Sequence, residues 1–179
     1  MDLALIDRAL KGDTEAFSEL VEKYQRPIYF TVLRMLSDHE EAADIAQQTF
    51  MNAFRSLADF RRDASFKTWL YQIAINLVRN KIKEKMRQPE FEDVEEMDII
   101  ADQKMPFDQL DDENRSSRMN AAIQTLPKQQ RMTVILRVYE ERSYEEIAKI
   151  LGCAQETARA HFHLGIRALR KVLKGEALL

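Results

Sequence analysis

A stripe of basic side chains near the C-terminus has the charge and spacing to bind phosphate. Five side chains follow one another at intervals of 4, 4, 3 and 4 residues: Arg159, His163, Arg167, Arg170 and Lys174. On a helix this spacing places them on one face. No acidic side chain occurs in residues 157–174, although the whole protein has a net charge of −3. Cations on one helix face suit DNA phosphates and base edges, while the alternative is a solvated basic surface.

Catalytic or metal-binding chemistry has weaker support. His161 and His163 are two residues apart and diverge on a helix, unlike the histidine pair of a zinc protease. The sequence has no glycine-rich phosphate loop. Cys153, the single cysteine, has no evident base; it is either a small buried side chain at a turn or a redox sensor. We predict no enzyme activity, no metal site and no cofactor.

The segment before the basic stripe predicts a helix-turn-helix. Ser143 and Glu146 have the spacing of a capping box, which begins a short helix. Gly152 is placed to end that helix in the left-handed conformation. A turn of about three residues then leads into a longer helix with an apolar stripe of its own. That stripe consists of Ala158, Phe162, Ile166, Leu169 and Leu173. In this motif the start of the second helix reaches base edges and its later cations hold phosphates.

A second basic and polar face is predicted on a helix that begins near residue 66. Its buried face consists of Phe66, Leu70, Ile73 and Leu77, with Trp69 and Ala74 beside them. The other face carries Gln72, Asn76, Asn80, Lys83 and Arg87, with Arg79 adjacent and Arg61 and Arg62 in the preceding loop. Cations, amides and nearby aromatic rings suit single-stranded nucleic acid. The alternative for each aromatic ring is a core position.

The composition predicts a helical protein of one or two domains. The chain has 179 residues, of which 45% are hydrophobic, and only 4 glycines and 4 prolines. Short and long amphipathic helices are expected over residues 3–10 and 17–35, with Pro27 as a kink. The start resembles no signal peptide, and no stretch approaches the roughly 18 apolar residues that span a bilayer. We therefore expect a soluble, cytoplasmic protein without membrane insertion.

Capping signals place two more helices in the first half. Asp38 and Glu41 have capping-box spacing, so a third helix begins near residue 38. Ser65 is placed to cap a fourth helix that runs to about Arg87. Residues 89–113 are acid-rich and contain two prolines, which predicts a linker. This linker is either a solvated tether or an acidic segment that competes with nucleic acid for a basic groove.

Two long motifs carry a family resemblance. Residues 44–82, "DIAQQTFMNAFRSLADFRRDASFKTWLYQIAINLVRNKI", resemble region 2 of bacterial RNA polymerase sigma factors of the extracytoplasmic-function type. Residues 126–169, which contain "LPKQQ" and "SYEEIA", resemble region 4 of the same family. The resemblance implies an all-α protein with a region-2 helix bundle over 1–88, an acidic linker over 89–113 and a helix-turn-helix region-4 domain over 114–179.

The resemblance also implies which residues bind which partner. Contact with core RNA polymerase is implied for Asp44, Gln47 and Gln48, with Phe50 in the core. Contact with the melted −10 element of promoter DNA is implied for Arg61, Arg62, Ser65, Phe66, Lys67, Asn76, Arg79, Asn80 and Lys83. Contact with the −35 major groove is implied for Gln155, Glu156, Thr157, Arg159, Ala160, His161, His163 and Arg167. The family further implies an anti-sigma factor as a partner.

Three residues depart from the usual family pattern. Gln48 replaces a common glutamate, which removes a charge from the polymerase contact and keeps an acceptor. His161 and Leu164 stand where arginine is frequent, so the phosphate contact should be weaker or pH-sensitive. The alternative to a sigma factor is a stand-alone helix-turn-helix regulator, which would leave the motif in residues 44–82 without a role.

Overall fold

The computed structural model describes residues 2–87 and 110–176, and most of these residues form helices. The helices are α1 (Asp2–Leu10), α2 (Thr14–Leu36), α3 (His39–Arg55), α4 (Phe66–Arg87), α5 (Leu110–Gln124), α6 (Lys128–Val138), α7 (Tyr144–Leu151) and α8 (Gln155–Glu176). A short 3-10 helix, Leu57–Asp59, follows α3. The described residues contain no strand, and the all-α prediction is confirmed.

Side-chain caps begin the helices where the sequence predicts them. Asp38 accepts a hydrogen bond from the backbone N–H of Glu41 at 2.9 Å, at the start of α3. Ser65 Oγ accepts from the N–H of Thr68 at 3.1 Å, at the start of α4. Such caps satisfy backbone donors that have no partner inside the helix. These predictions rested on local spacing, and the structure confirms them.

The first four helices share a buried core. Leu20 and Ile28 of α2 pack with Leu70 and Ile75 of α4, all of them fully buried. Pro27 lies inside α2, and the helix continues past it to Leu36. Helix α4 has a second buried stripe, which the sequence analysis did not predict. This stripe arises because α4 packs against α7 as well as against α2 and α3.

The last four helices form the C-terminal part of the core. Ile135 and Leu136 of α6 and Ile147 of α7 are fully buried, and Leu169 of α8 packs against them. Helix α5 begins at Leu110, within the stretch assigned to the linker. The two interpretations of the linker fall on residues 89–109, which lie outside the described part of the chain.

The described residues contain neither a candidate membrane span nor a candidate metal site. Over 2–87 and 110–176, none of the helices combines the length and the apolar character that crossing a bilayer requires. In the same ranges, no group of three or more His, Cys, Asp or Glu side chains is placed to hold a metal ion.

Candidate nucleic-acid interface

Helices α7 and α8 form the predicted helix-turn-helix. Ser143 Oγ accepts from the N–H of Glu146 at 3.2 Å, and the Glu146 carboxylate accepts from the N–H of Ser143 at 2.9 Å, which completes the capping box. Gly152 ends α7 at φ +63°, in the left-handed region that favours glycine. Three residues, 152–154, separate the two helices. The predicted turn is therefore confirmed in its details.

The two stripes of α8 lie where their spacing predicts. Ala158 and Leu169 are buried, and the other three members of the apolar stripe are partly buried against the core. The basic side chains are all exposed: Arg159, His163, Arg167, Arg170 and Lys174. One face of the helix thus packs on α6 and α7, and the other presents cations to solvent.

Tyr144 holds Arg159 at the start of α8. The Arg159 guanidinium lies over the Tyr144 ring, 5.4 Å from its centroid, and Arg137 lies 5.1 Å from the same centroid. The ring of Phe162 meets Tyr144 edge to face at 5.9 Å. Cations over an aromatic face are attracted by its quadrupole. Tyr144 therefore orients an arginine predicted to read bases, a role that the sequence analysis missed because it depends on the angle between α7 and α8.

Replacing Tyr144 should weaken the −35 contact. In a Tyr144→Leu variant, Arg159 loses the aromatic face, and an exposed cation–π contact is worth about 0.5–1 kcal/mol. We expect holoenzyme to bind a duplex with its −35 element about two- to fivefold more weakly, measured by fluorescence anisotropy. Tyr144→Phe keeps the ring and is the matched control. Equal losses in both variants would contradict the positioning role.

The other predicted −35 residues differ in their exposure. Gln155, Glu156, Thr157 and Ala160 are exposed in the first turns of α8. His161 is half-buried, and its Nδ1 is buried without a hydrogen-bond partner in the described part of the chain. His161 is therefore less available to DNA than its neighbours.

The structure brings most of the predicted −10 residues onto α4 and the loop before it. Arg61, Asn76, Asn80 and Lys83 are exposed. Asn80 and Lys83, with Glu84 and Arg87, line an open recess of about 340 Å³. This end of α4 presents amides and cations together, which suits a phosphate backbone and the edges of bases.

Four predicted −10 residues already have partners. Arg79 is half-buried, and its Nη2 donates to the Leu151 carbonyl at 2.8 Å. Arg62 forms an ion pair with Asp7 of α1. The Ser65 hydroxyl is used as the helix cap. Lys67 is half-buried with its ammonium 5.8 Å from the centroid of the Tyr71 ring, and burial lowers its pKa.

The prediction that Phe66 contacts DNA needs correction. Its side chain is only 2% exposed, and its ring packs against Phe60 at 5.9 Å and Trp69 at 5.7 Å between centroids. A ring enclosed by two others has no free face on which a base could stack. The alternative interpretation, a core aromatic residue, fits Phe66 in this structure.

The predicted polymerase contacts lie on the outer face of α3. Asp44, Gln47 and Gln48 are all exposed, and Phe50 is buried as expected. The same face continues with two apolar side chains that the sequence analysis did not single out. Met51 is 45% exposed and Phe54 50% exposed. A polar contact surface with an adjoining apolar end is typical of a protein interface.

Two family models match these two helical units. Residues 20–88 match Sigma-70 region 2, and residues 116–169 match Sigma-70, region 4. Together the matches cover more than half of the chain, on the same helices that carry the candidate surfaces. The class of protein is therefore a sigma factor, a transcription initiation factor that directs RNA polymerase to promoters.

Similar proteins specify the group within that class. The chain is 35% identical to the RNA polymerase sigma-H factor of Pseudomonas aeruginosa, over 97% of this chain and 94% of that protein. It is 34% identical to the ECF RNA polymerase sigma factor SigW of Bacillus subtilis, over 94% and 95%. This protein belongs to the extracytoplasmic-function (ECF) group of RNA polymerase sigma factors, as the resemblance predicted.

A solved structure shares the fold. It is the sigma factor RpoE in complex with the anti-sigma factor NepR from Bartonella quintana, with a TM-score of 0.74. The match covers 88% of this chain and 96% of that one at 24% identity. At this identity the likeness supports the helical architecture of both regions.

Proposed function

We propose that this sigma factor divides promoter recognition between two helices. The start of α8 reads the −35 duplex, and α4 with the loop before it captures the melted −10 non-template strand. The outer face of α3 binds core RNA polymerase. The observation that carries this proposal is the cationic stripe of α8, exposed on the second helix of a helix-turn-helix whose opposite stripe is buried.

The chemistry of α8 supports duplex reading. Gln155 and Arg159 are exposed in its first turns, where a helix in the major groove meets base edges. Amide and guanidinium groups form paired hydrogen bonds with adenine and guanine respectively. Arg167 and Arg170, about two and three turns beyond Arg159, are exposed and suited to phosphates. The helix therefore offers base contacts first and phosphate contacts after them.

The chemistry of α4 supports single-strand capture. Its exposed end offers Asn76, Asn80 and Lys83, which pair a positive charge with amides that can bond to unstacked bases. Arg61 adds a further exposed cation from the preceding loop. The free energy for opening the duplex would come from the binding of unstacked bases to α4. These contacts favour the open state because they form only after the strands separate.

Replacing Asp44 should weaken the polymerase contact. Asp44 is an exposed carboxylate on α3, and an exposed charge contact is worth up to about 1 kcal/mol. We expect Asp44→Ala to weaken binding to core polymerase about two- to fivefold in a competition assay. Glu22→Ala, which removes an exposed carboxylate from α2, is the control and should leave binding unchanged. Equal losses would indicate a general charge effect.

We also propose an anti-sigma factor as a regulator of this chain and the cytoplasm as its location. The first rests on the solved relative, whose structure contains an anti-sigma factor. The second rests on the proposed partner, because core polymerase acts on chromosomal DNA.

Run-off transcription tests the proposed function directly. Purified protein, bacterial core polymerase and fragmented genomic DNA are combined, and transcript 5′ ends are sequenced. We expect discrete protein-dependent starts that share two upstream elements. If such starts are missing and the protein alone binds duplex DNA tightly, the chain is a stand-alone regulator instead.

A further inference from the structure

The loop before α4 contains a residue in an uncommon backbone conformation. This loop, residues 60–65, is termed the −10 loop below. Arg62 has a φ of +62°, in the left-handed region that favours glycine. A non-glycine residue in this region costs conformational free energy, so contacts elsewhere must stabilise it. The −10 loop is therefore held in a shape that its own sequence does not favour.

Both ends of the −10 loop are anchored on the core of the first four helices. The ring of Phe60 is buried, with its centroid 5.9 Å from that of Phe66 and 5.2 Å from that of Trp69. At the other end, Ser65 forms the cap of α4. Between these anchors, residues 61–63 are exposed. The middle of the loop therefore depends on side-chain contacts, rather than on burial, for its position.

Asp7 of α1 contacts the middle of the −10 loop. Its Oδ1 accepts a hydrogen bond from Arg62 Nη2, and the two side chains form an ion pair across 55 residues of sequence. About half of each side chain remains exposed, 48% for Asp7 and 46% for Arg62. A guanidinium group has five N–H donors, and this bond uses one of its nitrogens. Arg62 therefore retains donors for a phosphate while Asp7 holds it.

Helix α1 is itself fixed on the core. Ile6, next to Asp7, is fully buried. Asp2 accepts hydrogen bonds from Lys23 and from the Tyr24 hydroxyl, both of which belong to α2. The match to Sigma-70 region 2 begins at residue 20, beyond the end of α1. A helix outside that match therefore supplies a rigidly supported carboxylate to the −10 loop.

We propose that Asp7 is a positioning residue for promoter opening, and that it holds Arg62 and the middle of the −10 loop in the conformation that receives the melted strand. The inference rests on the proposed function in one respect, the assignment of this loop to the −10 strand. An ordered loop binds more tightly than a mobile one, because less conformational entropy is lost on binding. Asp7 acts through Arg62 and does not itself touch DNA.

The sign of the effect separates this role from simple electrostatics. DNA is a polyanion, so the loss of a nearby carboxylate should strengthen binding or leave it unchanged. A carboxylate that only competed with the strand for Arg62 would also strengthen binding when removed. Loss of a positioning carboxylate weakens binding instead.

The variant Asp7→Asn keeps the shape of the side chain and removes its charge. The matched control is Asp59→Asn, the same change on an exposed residue of the 3-10 helix before the loop. Within residues 2–87 and 110–176, Asp59 forms no ion pair. Circular dichroism establishes that each variant has kept its helices.

The first measurement is the order of the loop backbone, which needs neither DNA nor polymerase. Order parameters of the amides in residues 61–64 are obtained by nitrogen-15 NMR relaxation of the whole chain. We expect values near about 0.85 in wild type and Asp59→Asn, and values below about 0.6 in Asp7→Asn, the usual ranges for rigid and flexible backbone. Asp7→Glu keeps the carboxylate and should keep the loop ordered. Unchanged order parameters in Asp7→Asn would overturn the proposal.

The second measurement is strand binding by the holoenzyme. The probe is a fluorescein-labelled single strand with the non-template −10 sequence of a promoter mapped by run-off transcription. We expect Asp7→Asn to bind it about two- to fivefold more weakly than wild type, the range of an exposed charge pair. Asp59→Asn should bind at least as tightly as wild type, and Asp7→Glu should recover most of the loss. Unchanged or tighter binding in Asp7→Asn would overturn the positioning role.

A double-mutant cycle isolates the pair. Arg62→Gly removes the side chain that Asp7 holds, and glycine adopts the left-handed conformation without a steric penalty. In that background Asp7→Asn should have no further effect on loop order or on strand affinity. An equal loss of affinity in both backgrounds would show that Asp7 does not act through Arg62.

Failure of the proposed function gives a different pattern. Arg61→Ala removes an exposed cation from the same loop and leaves the pair of Asp7 and Arg62 in place. If the loop does not bind the strand, Arg61→Ala and Asp7→Asn both leave strand affinity unchanged. If the loop binds the strand but Asp7 does not position it, Arg61→Ala weakens binding and Asp7→Asn does not.

Discussion

An Arg159→Ala variant is expected to lose about tenfold to a hundredfold of its transcription from promoters that depend on a −35 element. Arg159 is exposed in the first turns of α8 and is held over the ring of Tyr144. A paired contact between arginine and a guanine contributes about 1–3 kcal/mol of discrimination. The measurement is run-off transcription in parallel with holoenzyme binding to the same promoter. Affinity for core polymerase should remain at the wild-type value.

Two controls separate base reading from simple charge. Arg170→Ala removes the same side chain from the same exposed stripe, further along α8. It should weaken binding about equally for all promoters and reduce the salt dependence by roughly one counterion. Arg159→Lys keeps the charge without the planar fork, so it should not restore full activity. If Arg159→Ala instead weakened polymerase binding and left promoter choice intact, the surfaces assigned to α3 and α8 would be exchanged.

A Gly165→Leu variant is expected to lower the free energy of unfolding by about 2–3 kcal/mol, because larger side chains in a packed core force strain. Gly165 lies inside α8 where it crosses α6. A Cβ atom at this position would lie 2.7 Å from Val134 Cγ2 and 3.5 Å from Gln130 Cβ. Valine is branched and stiff, so the contact cannot be relieved by rotating a long side chain. Urea unfolding followed by circular dichroism measures the loss.

The same helix offers a matched control. Gly175 has no heavy atom within 4 Å of the place where a Cβ would be, so Gly175→Leu should change stability by less than about 0.5 kcal/mol. Gly165→Ala should be milder than Gly165→Leu, since both gain helix propensity over glycine but alanine adds only the Cβ atom, whereas leucine adds three more carbons against α6. Equal stability of the wild-type and Gly165→Leu proteins would show that α6 and α8 are not closely packed in solution.

Local sequence patterns predicted most of the elements and both faces of α8. Asp38, Ser65 and Ser143 act on backbone groups only three residues away, so their spacing alone places the helix starts. The turn at Gly152 is equally local, because its left-handed conformation depends on the residue itself. The family resemblance added the assignment of surfaces to polymerase and DNA, which periodicity could not provide.

The contact between Arg159 and Tyr144 could not be predicted in this way. Fifteen residues separate the two side chains, on different helices. Their approach depends on how α7 crosses α8. The sequence did contain one signal for this contact. Tyr144 directly follows the Ser143 cap, so an aromatic ring begins the helix before the one that carries the basic stripe. The sequence offered no means of choosing that ring over the other aromatic residues.

By itself, then, the sequence determined the helices, the helix-turn-helix and the basic stripe, because these depend on neighbours within one or two turns. It also determined the family, through the two long motifs in residues 44–82 and 126–169. Only the tertiary structure decided the environment of α4. Tyr71, Ile75 and Val78 of α4 are buried, and α4 packs against α7, a helix from the other half of the chain, as well as against α2 and α3. Glu140 meets Tyr71 and Thr31 across 69 and 109 residues of sequence. Contacts at such separations depend on how whole helices pack, and no local pattern in the chain contains that information.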